Sequence, residues 1–237
     1  MRVCDTSSPG AVWNGMLSSR GMDPRQKLEA PIIFEDDRIV AVCKPAGLPT
    51  IPGRGEIGVA VNTDIERRLR RKIFVVHRLD LDASGLLVFA KDADTHRLLC
   101  AEFEAHKAKK EYLAAVAGSM SGSGEIDKPL REFSSGRVAP APDGKAALTR
   151  WRVEKPLRGG TLLRVEPMSG RKHQIRAHLS AIGHPILGDP RYGPPPRPIG
   201  GAKRLMLHAL SLHLELGYDL RAEPTEDFQI VLAARTL

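Results

Sequence analysis

Residues 76–92 read VHRLDLDASGLLVFAKD. The apolar run LLVFA inside this stretch has the length and composition of a buried strand. His77, Arg78, Asp80 and Asp82 stand directly before it. Charge against a core is costly unless it is paired or solvated. Any fold for this chain must therefore bury the strand and still account for four titratable groups at its mouth.

Other apolar runs are also short, and strands dominate. PIIFEDD is a strand entering an acidic turn, and RIVAVCKPAG is a second strand closed by Pro45 and Gly47. KKEYLAAVAG is a strand ending at Gly118, after which GSMSGSGE reads as a flexible turn. GKAALTRWRVEKPL and TLLRVEP pair around the turn RGG, and RLMLHALSLHLEL and DFQIVLAA read as closing strands. Three segments carry helical spacing. VNTDIERRLRRK has Ile65 and Leu69 four apart. DADTHRLLCAEFEAHK places Thr95, Leu99 and Phe103 on one face with Leu98 beside them, capped by Asp92 or Asp94. HQIRAHLSAIG places Ile175, Leu179 and Ile182 on one face, with Gly183 as C-cap.

Strands that rarely alternate with helices predict an α+β fold on a largely antiparallel sheet. Residues 1–29 mix Ser, Gly, Pro and Asp without period and read as a disordered tail, in which Met16 and Met22 are alternative starts. Residues 30–237 read as one domain. YGPPPRPIGG reads as a surface loop.

The 36 Lys and Arg exceed the 28 Asp and Glu, a formal charge of +8 that favours an anionic partner, nucleic acid first. Cys4, Cys43 and Cys100 are an odd, scattered set, with neither a disulfide framework nor a zinc spacing, as expected in the reducing cytoplasm. No apolar run reaches the length of a membrane span, and MRVCDTSSPGAVWNG lacks the apolar core of a signal peptide.

His173, Arg176 and Ser180 share a polar face of the HQIRAHLSAIG helix. In isolation such a face is usually solvated. Its approach, EPMSGRKHQIR, changes the weighting: a Gly turn delivers Arg171, Lys172 and Arg176 to a helix start, which makes an anion site. His173, His178, His184, His208 and His213 show no metal-binding spacing, so packing or RNA contact is expected of them. DLDAS superficially fits a metal-dependent phosphohydrolase nucleophile motif. Position 84 is Ser, however, and no clear acidic pair follows.

Six motifs in order carry a resemblance: IIFEDDRIVAVCKPAG, HRLDLDASGLLVFAKD, KKEYLAAVAG, GKAALTRW, SGRKHQIRAHLSAIGHPILGDPRYG and RLMLHA. Over roughly residues 31–215 the chain resembles the RluA-type pseudouridine synthase family, with IPGRGE, EIDKPLREF and GKAALTRW nearest the branch that acts on both tRNA and 23S rRNA. Ala83 stands where the family motif commonly has Thr, and the segment after His213 lacks the usual HP-x-x-G turn.

The resemblance implies a bent, mostly antiparallel sheet with flanking helices and a central cleft. It implies no cofactor and no metal. It makes Asp80 the catalytic carboxylate, Arg176 its partner and Tyr112 a platform for the flipped base. Arg78 would fill the place of that base or hold its neighbours. Lys44, Arg171, Lys172 and His173 would meet RNA. The charged cluster is then the lip of a cleft and LLVFA its rigid floor, with His77 and Asp82 as supports.

The expected substrate is a stem-loop, the tRNA anticodon arm first and a similar rRNA hairpin next, acted on by a monomer. An S4 RNA-binding domain does not fit in the residues before the first strand. A catalytically silent RNA-binding module of the same fold is the alternative, and the presence of Asp80, Tyr112 and Arg176 together favours the enzyme.

Overall fold

The computed structural model describes residues 29–53, 59–193 and 202–235. The tail reading of residues 1–28, the YGPPPRPIGG loop from residue 194 onward and the second half of IPGRGE lie outside these residues.

Ten strands form one sheet whose main path is β1 (Ile32–Glu35), β2 (Ile39–Lys44), β4 (Ser84–Ala90), β11 (Leu207–Leu214), β5 (Lys109–Ala117), β10 (Gly160–Pro167), β9 (Leu148–Leu157) and β6 (Ser123–Asp127). The short β3 (Phe74–Val75) pairs with β4, and β12 (Tyr218–Arg221) pairs with β11. A separate hairpin joins β7 (Leu130–Glu132) and β8 (Val138–Pro140). Every strand pairing is antiparallel except β4 against β11. The expected α+β class with a mostly antiparallel sheet is therefore found.

All seven residues of β4 are buried, as the apolar run predicted. The parallel contact sets His208 opposite Ser84 and Ala209 opposite Gly85. Gly85 is required there: its φ is +112°, and a Cβ would lie 2.2 Å from the Ala209 carbonyl oxygen. Two apolar clusters flank this seam. One gathers Val40, Val42, Leu87, Phe89 and Leu99, and the other Val116, Leu163, Val165, Leu179 and Phe228. Tyr112 touches both.

Helix α1 (Val61–Leu69), α2 (Ala93–Glu104) and α3 (Gln174–Ala181) fall on the three segments with helical spacing. Asp92, not Asp94, caps α2, accepting from the Thr95 amide at 2.8 Å. Such a cap is worth about 1 kcal/mol. Thr95 and Leu99 are buried, but Leu98 is 48% exposed and is not part of that face. Gly183 has φ +87° just past the Ile182 cap of α3, the left-handed close expected of it.

DFQIVLAA is not a strand. It forms helix α4 (Glu226–Ala233), which buries Phe228 and Leu232 and leaves Ile230 60% exposed. Four-residue spacing and the acidic first turn of Glu226 and Asp227 decide for the helix. GSMSGSGE is a turn only at its start, because β6 begins at Ser123. No described helix is long and apolar enough to cross a membrane.

Candidate active site

The loop before β4 is held from both sides. Lys44 Nζ donates to the Leu81 carbonyl at 2.9 Å, and the Gly47 amide donates to the same oxygen at 2.9 Å. Thr50 Oγ1 bonds both the Leu79 amide and the Leu79 carbonyl at 3.3 Å. His77 Nε2 accepts from the Val88 amide at 3.1 Å, and its ring stacks on Phe103 at 4.9 Å. Burial, with Lys110 adding repulsion, pushes the His77 imidazole down to about 3, so the ring is neutral and Nδ1 carries its proton. His77 therefore supports the loop as expected. Asp82 acts more loosely, as a nearby negative charge for Lys44.

Lys44 corrects the sequence reading. It is fully buried and spends its ammonium on the carbonyls of Pro45, Leu48 and Leu81. Burial lowers it to about 8 against the pull of Asp82 and Asp80. It cannot reach a phosphate; it positions the loop that carries Asp80.

Asp80 projects from that loop with a quarter of its side chain exposed. Arg176 Nη1 donates to Asp80 Oδ2 at 2.9 Å. The opposite edge of the guanidinium makes a fork on Asp189, Nε to Oδ2 at 2.8 Å and Nη2 to Oδ1 at 2.9 Å. Asp189 is completely buried and also accepts from the amides of Arg191 and Tyr192, at 2.8 and 3.0 Å. Arg176 lies 5.1 Å above the Tyr192 ring centroid. Burial opposes the Arg176 charge, but the bonds and charges of Asp189 and then Asp80 outweigh it and raise its pKa. The polar face of α3 is thus a buried clamp and not a solvated surface.

Asp189 was missed in the sequence. It lies in GDPRYG, inside a motif that carried the resemblance, where an Asp before Pro reads as a turn residue. Tyr192 was missed for the same reason. Its Oη accepts from the Val138 amide at 3.1 Å and lies 2.9 Å from His173 Nδ1. If Tyr192 donates its proton there, His173 presents a protonated Nε2 to Asp80 Oδ2, 4.0 Å away. His173 holds φ +50° at the start of α3. Burial first, with the surrounding cations, lowers its pKa against the pull of Asp80.

The turn before α3 is stitched by Gln174, whose Oε1 accepts from Ser169 Oγ at 2.7 Å and from the Arg171 amide at 3.1 Å. Arg171 Nε donates to the Ala146 carbonyl at 3.2 Å, and Lys172 pairs with Glu132. Both cations remain at the rim, partly occupied by protein groups. Arg78 is exposed at the opposite rim and makes no hydrogen bond or ion pair among the described residues. Tyr112, on β5, faces the cleft; burial, then the charge of Asp80, raises its phenol pKa, so it stays protonated at neutral pH. The resulting cavity, about 850 Å³, is lined by Arg78, Asp80, Lys110, Tyr112, Arg171 and His173 among others.

The other four histidines singled out in the sequence each have their own partners, away from Asp80. His178 bonds Thr149 and the Lys128 carbonyl, His208 bonds Ser84 and the Ala222 carbonyl, His184 bonds the Ala117 carbonyl, and His213 pairs with Asp219.

The fold is α+β, and its cleft is an open, cation-lined space large enough for a nucleotide, into which Asp80 presents a carboxylate held by Arg176. Residues 38–181 match the family model described as RNA pseudouridylate synthase, and the chain belongs to that family. It is 36% identical over 212 residues to ribosomal large subunit pseudouridine synthase D of Yersinia pestis, covering 80% of this chain and 64% of that protein. It is 35% identical over 217 residues to tRNA pseudouridine synthase C of Haemophilus ducreyi, covering 78% of this chain and 85% of that protein. The chain therefore spans less than two thirds of the first relative and most of the second. These two relatives carry an rRNA and a tRNA name respectively. The fold is shared with human RNA pseudouridylate synthase domain containing 1, at a TM-score of 0.76 and 23% identity over 91% of each chain.

Proposed function

We propose that this chain is an isomerase that converts a uridine within an RNA stem-loop to pseudouridine. The anticodon arm of tRNA is the first substrate and a hairpin of large-subunit rRNA the second. The observation that carries the reading is the convergence of Asp80, Arg176 and Tyr112 on one cleft from three distant parts of the sequence. In the reaction the N1–C1′ bond breaks, uracil turns, and C5 bonds to C1′. The C5 proton is lost and N1 regains one, so there is no net oxidation. Asp80 acts on the ribose, and Arg176 holds the carboxylate in place and balances its charge. The base must leave its stack, at a cost of a few kcal/mol. Stacking on Tyr112 offsets about 1–3 kcal/mol of this. Arg78 occupies or guards the gap left behind, while Arg171 and Lys172 exchange their protein partners for phosphates.

Tyr112→Ala should lower turnover by roughly 5- to 150-fold, the range that stacking energy implies. If turnover survives and only the melting temperature falls, Tyr112 is a core residue and not a platform.

The test of function is incubation of the purified protein with an anticodon stem-loop and with an unstructured oligomer of the same bases, followed by mapping of pseudouridine. The stem-loop should be modified and the oligomer left largely unchanged, because loop shape splays the base. Affinity should also fall steeply with salt, as cations displace counterions from phosphates. Binding without any turnover would favour a silent RNA-binding module. Equal modification of both RNAs would overturn selection by loop shape.

A further inference from the structure

The cleft holds one cation that the site so far leaves without work. Arg176 is committed to Asp80 and Asp189, Lys172 to Glu132, and Lys44 to carbonyl oxygens below the surface. Lys110 is different. It is half-buried on β5, lines the cavity, and makes no hydrogen bond or ion pair among the described residues. Its Nζ lies 5.9 Å from the centroid of the Phe103 ring, at the outer limit of a cation–π contact. Gly170 leaves the opposite side open: a Cβ there would stand 3.9 Å from Nζ. Burial lowers the Lys110 pKa, and no carboxylate offsets it.

A strand, unlike the Arg78 loop, fixes the face from which this side chain leaves the backbone. Lys110 and Tyr112 are two residues apart and share a face, about 6.5 Å apart along the strand. A nucleotide whose base lies on Tyr112 has its phosphate one ribose away, a separation of the same order. Lysine is a compact point charge with three rotating donors, suited to a phosphate oxygen and not to planar base-edge recognition. We infer that Lys110 is a positioning residue that takes a backbone phosphate beside the uridine resting on Tyr112. This inference rests on the proposed RNA reading of the cleft. It also explains a half-buried ammonium without a protein partner, since the missing anion arrives with the substrate.

The experiment compares wild type with Lys110→Met on the anticodon stem-loop, by fluorescence anisotropy across a salt series. The RNA is used unmodified and with a neutral methylphosphonate at the phosphate on either side of the target uridine. Lys110→Met should weaken binding to unmodified RNA roughly threefold or more, and the log–log salt slope should shrink by about 0.7–0.9, the release of one counterion. At one methylphosphonate position wild type and variant should bind alike. The melting temperature of the free variant should hold or rise, because an unpaired ammonium has been removed. An unchanged salt slope would overturn the inference, as would equal weakening of both proteins by each methylphosphonate. A variant with a lower melting temperature and intact affinity would make Lys110 a structural residue. Binding needs no turnover, so a wild type that binds but forms no pseudouridine would overturn the proposed activity while leaving the phosphate contact in place.

Discussion

Asp80→Asn should abolish pseudouridine formation while leaving the folded protein almost unchanged. The substitution keeps the shape of the side chain and removes its charge. Arg176 keeps its two bonds to Asp189, and an amide oxygen at position 80 can still accept from Nη1. The loop also remains tied by Lys44, Gly47 and Thr50, none of which touches the Asp80 side chain. What disappears is the anion on which the chemistry depends. A positioned acid, base or nucleophile contributes typically about 10²–10⁴-fold, so single-turnover rates on the stem-loop should fall by at least about a hundredfold. Melting temperature and RNA affinity should stay near wild type. A rate within tenfold of wild type would remove Asp80 from the mechanism.

The same loop shows how far sequence reading reached. LLVFA announced a buried strand, and β4 is buried along its whole length. The helices with clear spacing were also legible, because a helix face is a local pattern. DFQIVLAA failed for a physical reason: Ile230 and Val231 suggest a strand, yet only Phe228 and Leu232 are buried on the sheet. Thr225, Glu226 and Asp227 carried a helix-start signal that the apolar run outweighed. β12 stayed hidden because its four residues, YDLR, are mostly polar and gain strand form only by pairing with β11.

Within the site, the pairing of Asp80 with Arg176 came from resemblance, since 96 residues separate them and no local pattern joins them. Lys44 was misplaced because sequence shows a cation beside a Pro–Gly turn but not which way it points. Asp189 had no local signal beyond turn chemistry, although the clamp depends on it.

That dependence is measurable. Arg176→Met should be the most destabilising single change at the cleft. It would leave Asp189 fully buried with two amide donors but no countercharge. Breaking one side of a buried ion pair costs about 3–5 kcal/mol, and in a domain of this size each kcal/mol moves the melting temperature by about 2–4 °C. A fall of roughly 6–20 °C is expected, together with loss of turnover. The two effects have separate causes and can be pulled apart. Adding Asp189→Asn removes the orphaned charge yet keeps an acceptor for the Arg191 and Tyr192 amides. The double variant should therefore regain most of the lost melting temperature, as buried ion pairs replaced on both sides often do. It should not regain activity, because Asp80 still faces no cation. The coupling between the two positions gives the interaction energy of the fork directly. If Arg176→Met melts within about 2 °C of wild type, a shift corresponding to at most about 1 kcal/mol, the clamp is not what holds this part of the fold. If the double variant recovers turnover, Arg176 serves the architecture alone and Asp80 does not need it.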